Sequence, residues 1–154
     1  MVEIYTDGAA RGNPGPGGYG VILKYGKHEK ELSQGFRLTT NNRMELMAVI
    51  EGLKALKVDG LTVHITSDSK YVVDSVEKGW VFGWEKKGFA QKKNPDLWRQ
   101  FLLYYRKHKV KFHWIKGHNL HPFNERCDVL ATTAAQSKNL LIDSYFENNR
   151  NEEV

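Results

Sequence analysis

The chain reads as a single α/β domain: a five-stranded mixed sheet, three strands antiparallel and two added in parallel, flanked by helices. Three observations predict this. Val2-Glu-Ile-Tyr-Thr-Asp7 alternates like a half-buried strand and runs straight into a glycine turn. Leu61-Thr-Val-His-Ile-Thr-Ser-Asp68 repeats the design, with Val63 and Ile65 on one face and again an acid at its end. Between and after these strands stand apolar patterns of helical period, and a strand, helix, strand order builds parallel pairs by right-handed crossovers. If the two strands pair in parallel, Asp7 and Asp68 meet at the carboxyl edge of the sheet, where open α/β sheets take their ligands.

The elements follow in order. Gly12 to Gly18 holds four glycines and two prolines, a constrained turn. A phosphate-binding loop would need Gly-Lys-Ser/Thr opening a helix, and here the glycines open a strand, Tyr19 to Tyr25. A polar strand follows at about 29–38. Thr39-Thr-Asn-Asn-Arg-Met-Glu45 begins a helix whose Leu46, Val49, Ile50, Leu53 and Leu56 keep the spacing of a buried stripe. Ser69 to Glu77 reads as a short helix, and Asn94-Pro95-Asp96 as the start of another with Trp98, Phe101, Leu102 and Tyr105 inward. Lys109 to Ile115 alternates as a strand, and a glycine-led loop leads to the last helix, with Cys127, Leu130, Ala131 and Ala134 inward and Asp128 at the stripe's edge. From Asn139 the period is lost, which predicts a tail over 139–154 that is mobile or loosely docked.

With 154 residues there is material for one core and not for two. A net charge of +5 favours a polyanionic partner, although solubility alone would account for it. The single cysteine excludes an internal disulfide and suits a reducing compartment. No window approaches the roughly 18 apolar residues of a membrane span, and the cytoplasm is the expected location. The charge is concentrated at about 79–94, where Lys86, Lys87, Lys92 and Lys93 alternate with Trp80, Phe82, Trp84 and Phe89. A protrusion that grips nucleic acid explains both features. The alternative is that the aromatics are ordinary core and the lysines solvate a turn.

Asp7, Glu45, Asp68 and Asp128 all stand at element ends that can converge on one sheet edge. Two such charges about 4 Å apart repel by about 4 kcal/mol at an effective dielectric near 20, so a cluster of them must hold a proton or a cation. Oxygen ligands without thiolates select Mg²⁺ or Mn²⁺, and the chemistry that most needs them is phosphodiester cleavage. Each acid also has a plainer reading: Asn42 with Glu45 has the form of a capping box, and Asp128 that of a first-turn acid. A zinc site from His113, His118, His121 and Cys127 is a further alternative, with one thiol and ligands spread over three elements. His118, in a glycine-led loop beside the acids, suits a mobile proton carrier, and equally a loop histidine that only hydrogen-bonds.

Five motifs, Tyr5-Thr-Asp-Gly8, Gly12 to Gly20, Thr39-Thr-Asn-Asn-Arg-Met-Glu-Leu46, Ser67-Asp-Ser-Lys-Tyr-Val72, and Lys116-Gly-His118 with Asn124-Glu-Arg-Cys-Asp128, occur in an order that resembles type 1 ribonuclease H of the bacterial kind, over about Val2 to Ser137. The resemblance implies a ribonuclease H-like fold and hydrolysis of the RNA strand of RNA/DNA hybrids, leaving 5′-phosphate and 3′-hydroxyl ends. It implies two Mg²⁺ ions on Asp7, Glu45, Asp68 and Asp128, with His118 assisting proton transfer and product release. Asn13, Asn41 and Asn42 would read the hybrid's minor groove, Thr40 would hold a DNA phosphate, and Trp80 with the four lysines would form a DNA-binding handle within a catalytic domain spanning 1–138. Leu38 and Gly83 stand where bacterial members often have Arg and Asn around that phosphate, and the handle is shorter between Phe89 and Pro95. A monomer is expected. A non-catalytic hybrid-binding module and a transposase- or integrase-type nuclease are the competing readings; the complete set of acids opposes the first, and the asparagines oppose the second.

Overall fold

The computed structural model describes residues 1–117 and 121–150. Strands β1 (Val2–Ala10), β2 (Gly15–Tyr25) and β3 (His28–Thr39) form an antiparallel meander. Helix α1 (Asn41–Lys54) crosses over to β4 (Thr62–Ser67), which pairs in parallel with β1, setting Ile4 opposite Ile65. Helices α2 (Lys70–Glu77), α3 (Trp80–Lys86) and α4 (Pro95–Tyr105) lead to β5 (Lys109–Trp114), parallel to β4. Helix α5 (Pro122–Ala135), the two-residue strand β6 (Leu140–Leu141) and helix α6 (Ser144–Asn148) complete the described chain.

The sheet therefore has six strands, ordered β5-β4-β1-β2-β3-β6, and not the expected five. The extra strand is two residues pairing with Gly35 and Phe36, too short to leave any alternation in the sequence. The described part of the tail, residues 139–150, is correspondingly more firmly seated than its composition predicts; residues 151–154 lie outside the described residues. Gln34 donates to the Asn139 carbonyl at 3.0 Å, and Phe146 and Asp143 are buried.

Helix α1 covers one sheet face, where Ile4, Val21, Val63 and Ile65 are fully buried, and α4 adds Trp98 and Phe101 to the same core. Helix α5 covers the other face of β1, β2 and β3 at very close range. A Cβ on Gly20 would stand 2.4 Å from the Cys127 carbonyl oxygen, so this strand position has to be glycine for the helix to lie down. Among the described residues no helix is long and apolar enough to cross a membrane.

Two helix starts differ from expectation. Thr40, not Asn42, caps α1, accepting the Arg43 N–H at 3.2 Å, so Glu45 is released from any capping box. Asn94 precedes α4 in the left-handed region, and its side chain bridges away, accepting from Arg43 and donating to the Tyr71 hydroxyl.

Candidate active site

The parallel pairing of β1 with β4 brings Asp7, within β1, beside Asp68, just past β4, and α1 starts above them; the strand does not stop at Asp7 as its glycine suggested but runs on to Ala10. What sets the distance is Gly8. A Cβ there would meet the Glu45 backbone nitrogen at 2.4 Å, so the absence of a side chain lets the first turn of α1 sit directly on the end of β1. In consequence Asp7, Glu45 and Asp68 each offer a carboxylate oxygen within 4.8 Å of the others.

Electrostatics follow from that crowding. Burial, then the charge of Asp68, then that of Asp128 push the Asp7 carboxyl up to about 8, against the help of the Gly8 N–H, which donates to Asp7 Oδ1 at 2.9 Å. Glu45 is raised well above the ordinary carboxylate range, first by burial and then by the charges of Asp7 and Asp68. Among the described residues, no lysine or arginine is among the groups acting on either residue, and Glu45 Oε1 is buried without a hydrogen-bond partner. A buried carboxylate oxygen left unsatisfied beside two others is a poor arrangement for the protein alone. An all-oxygen donor set with surplus negative charge and no thiolate fits a hard divalent cation.

Asp128 lies outside that tight group. It is half-buried on the second turn of α5 and acts on Asp7 through its charge. His118 lies outside the described residues. Asn13, Asn41 and Asn42 gather at the start of α1: the Asn13 side-chain oxygen accepts the Asn41 backbone N–H at 3.1 Å, and that of Asn41 accepts the Ala10 N–H at 2.6 Å. All three are exposed, and the carbonyl ends of Asn13 and Asn41 are occupied by backbone. In the basic segment the aromatics divide. Phe89 is buried, and Phe82 and Trp84 pack on the core, Trp84 edge-on to Trp98 at 5.9 Å. Trp80 remains 48% exposed, and Lys86, Lys87, Lys92 and Lys93 are exposed. The aromatics thus hold the segment together while the lysines face solvent. The zinc alternative finds no site among the described residues: Cys127 is fully buried with its thiol donating to the Tyr5 carbonyl, His113 meets His64 at 2.6 Å, and His121 caps α5.

Sequence reasoning missed the residue that braces this edge. Arg43, 1% exposed, makes paired hydrogen bonds to Asp143 (2.7 and 2.9 Å) and to Asp96 (2.9 and 2.7 Å). Asp143 also accepts from the Thr39 hydroxyl at 2.8 Å. One guanidinium so joins the first turn of α1 to the first turn of α4 and to the segment after β6. The available signal was its position three residues before Leu46, on the apolar stripe itself.

Fold and site together define an α/β protein with a carboxylate centre of the kind that holds divalent cations. A family model described as RNase H matches residues 1–136. Ribonuclease H of Desulforamulus reducens is 54% identical over 147 residues, covering 92% of both chains, and that of Pseudoalteromonas atlantica is 51% identical over 151 residues, covering 95% of this chain and 97% of the relative. Among solved structures, LC9-RNase H1, a type 1 RNase H with the type 2 active-site motif, superposes with a TM-score of 0.80 at 34% identity, over 96% of this chain and 79% of the other. LC11-RNase H1 in complex with an RNA/DNA hybrid gives 0.64 at 27% identity, over 88% of this chain and 96% of the other. The chain belongs to the ribonuclease H family.

Proposed function

We propose that this protein is an endonuclease that hydrolyses the RNA strand of RNA/DNA hybrids and leaves 5′-phosphate and 3′-hydroxyl ends, acting as a cytoplasmic monomer. The observation that carries the reading is the buried group of Asp7, Glu45 and Asp68, each offering a carboxylate oxygen within 4.8 Å of the others, with no balancing lysine or arginine acting on Asp7 or Glu45 among the described residues. Asp7, Glu45, Asp68 and Asp128 would hold two Mg²⁺ ions, or Mn²⁺, which supply water activation and neutralisation of the leaving oxygen when bound. Asp7 and Glu45, raised as they are, surrender their protons as the cations bind. His118 would accept or return a proton at the scissile phosphate and ease product release.

Residues 1–138 form the catalytic unit in this reading. Asn13, Asn41 and Asn42 present amides to the 2′-hydroxyls and base edges of a shallow minor groove, which suits a helix with one RNA strand. Thr40 faces a DNA phosphate. Trp80, Lys86, Lys87, Lys92 and Lys93, within the handle at about 79–94, track the DNA backbone. The test is a panel of labelled RNA/DNA hybrid, double-stranded DNA and double-stranded RNA, each with Mg²⁺ and with EDTA. Cleavage of the RNA strand of the hybrid alone, and only with Mg²⁺, is expected. Cutting of double-stranded DNA, or binding of hybrid without cleavage, overturns the reading.

A further inference from the structure

A polar cleft of about 780 Å³ opens beside the start of α1, away from the carboxylate group, and its lining includes Asn13, Thr40, Asn42, Lys93, Glu147 and Arg150. The first three are residues the proposed function gives to the hybrid. The last two come from the segment after β6, which that function leaves unused. Glu147 is the one acid among the residues lining the cleft, and Arg37 engages both its oxygens, at 2.8 and 2.9 Å. Those hydrogen bonds, and then the charges of Arg37 and Arg150, hold Glu147 below the usual carboxylate range. Among the described residues, with Glu147 matched by Arg37, the charges of Lys93 and Arg150 remain in excess. Cations above a floor of amides and a hydroxyl make a surface for phosphodiester backbone rather than for an apolar ligand.

We propose that α6 and Arg150 just after it form one wall of the nucleic-acid groove, with Arg150 and Lys93 taking backbone phosphates of the bound hybrid beyond the point of cleavage. The proposal rests on the hybrid reading. It is tested with the full chain in EDTA, by fluorescence anisotropy of a labelled hybrid at increasing NaCl. Arg150→Gln lowers the slope of log affinity against log salt by about 1 and weakens binding about three- to tenfold near 0.1 M salt. Glu147→Gln does the reverse and tightens binding, because it removes the acid and frees Arg37. That opposite sign separates phosphate contact from mere packing: Arg150 lies over the Phe146 ring and Glu147 pairs with Arg37, so a purely seating role would make both variants weaken binding. An Arg150→Gln chain with the wild-type slope, or two variants that weaken binding alike, overturns the wall. A wild-type chain that does not bind hybrid at all overturns the parent reading instead, and the wall with it.

Discussion

At the scale of single residues, the site is governed by carboxyl groups that cling to protons. Asp7 is raised from 3.8 to about 8, and Glu45 moves the same way. A carboxyl raised on folding binds its proton more tightly in the native state. Its contribution is therefore present below the ordinary carboxylate range and lost as pH rises through the native value. In EDTA the protein should lose stability steadily from about pH 4 to about pH 8, as followed by urea midpoints. Asp7→Asn should flatten that decline and raise the midpoint at pH 8. The same substitution should cut cleavage with Mg²⁺ at least a hundredfold while leaving hybrid binding in place, on the scale of removing one electrostatic partner of a transition state. Wild-type cleavage by the mutant would contradict the carboxylate assignment. Asp68 was legible because it follows β4 directly and Asp7 because the apolar alternation stops there at a glycine, although β1 itself runs on through that glycine to Ala10. Asp128 stands apart from the tight group because it rides a helix on the opposite sheet face, an offset that strand periodicity does not encode.

At the scale of elements, two contacts decide whether the acids meet. Gly8 lets α1 rest on β1, and Gly8→Ala forces backbone against backbone, since the new Cβ would sit 2.4 Å from the Glu45 nitrogen. The expected result is a loss of about 2–3 kcal/mol in stability and at least a tenfold loss of activity, because the shift moves Glu45 away from Asp7 and Asp68. A Gly8→Ala enzyme with unchanged turnover would show that this approach is not needed. Arg43 supplies the second contact. Asp143→Asn leaves Asp96 as the one carboxylate on the guanidinium and should lower the unfolding free energy by about 2–4 kcal/mol, read from urea unfolding at neutral pH. An effect below about 1 kcal/mol would rule out a bracing role. Neither contact was readable. An ion pair spanning a hundred positions leaves no local period, and the turn at 88–94 has Phe89 and Gln91 in left-handed conformations that those residue types do not announce. The helices themselves were legible wherever three or more apolar residues kept their spacing, as in α1 and α4.

At the scale of the whole molecule, charge and core are divided between the two ends of the same segment. Phe82, Trp84 and Phe89 face α4 while the lysines around them face solvent, so replacing Lys86, Lys87, Lys92 and Lys93 with Gln should leave thermal stability within about 1 kcal/mol of wild type. Hybrid affinity should nonetheless fall and its salt slope should flatten by several units. An unchanged slope would remove the handle from the binding surface. The α/β class, the parallel placement of β1 beside β4 and the antiparallel meander were all readable from alternation and order. The sixth strand and the seating of the last helix were not, because two residues of pairing and one buried ion pair carry no repeating pattern. The lone thiol of Cys127, sealed between α5 and β1 next to Asp128 and raised by burial, has a practical consequence of its own. It is inert while the helix lies flat and reactive once the helix lifts. The rate at which a thiol reagent labels the native protein therefore serves as a clock for that lifting, and slower labelling with Mg²⁺ would time how firmly the cations draw the molecule shut.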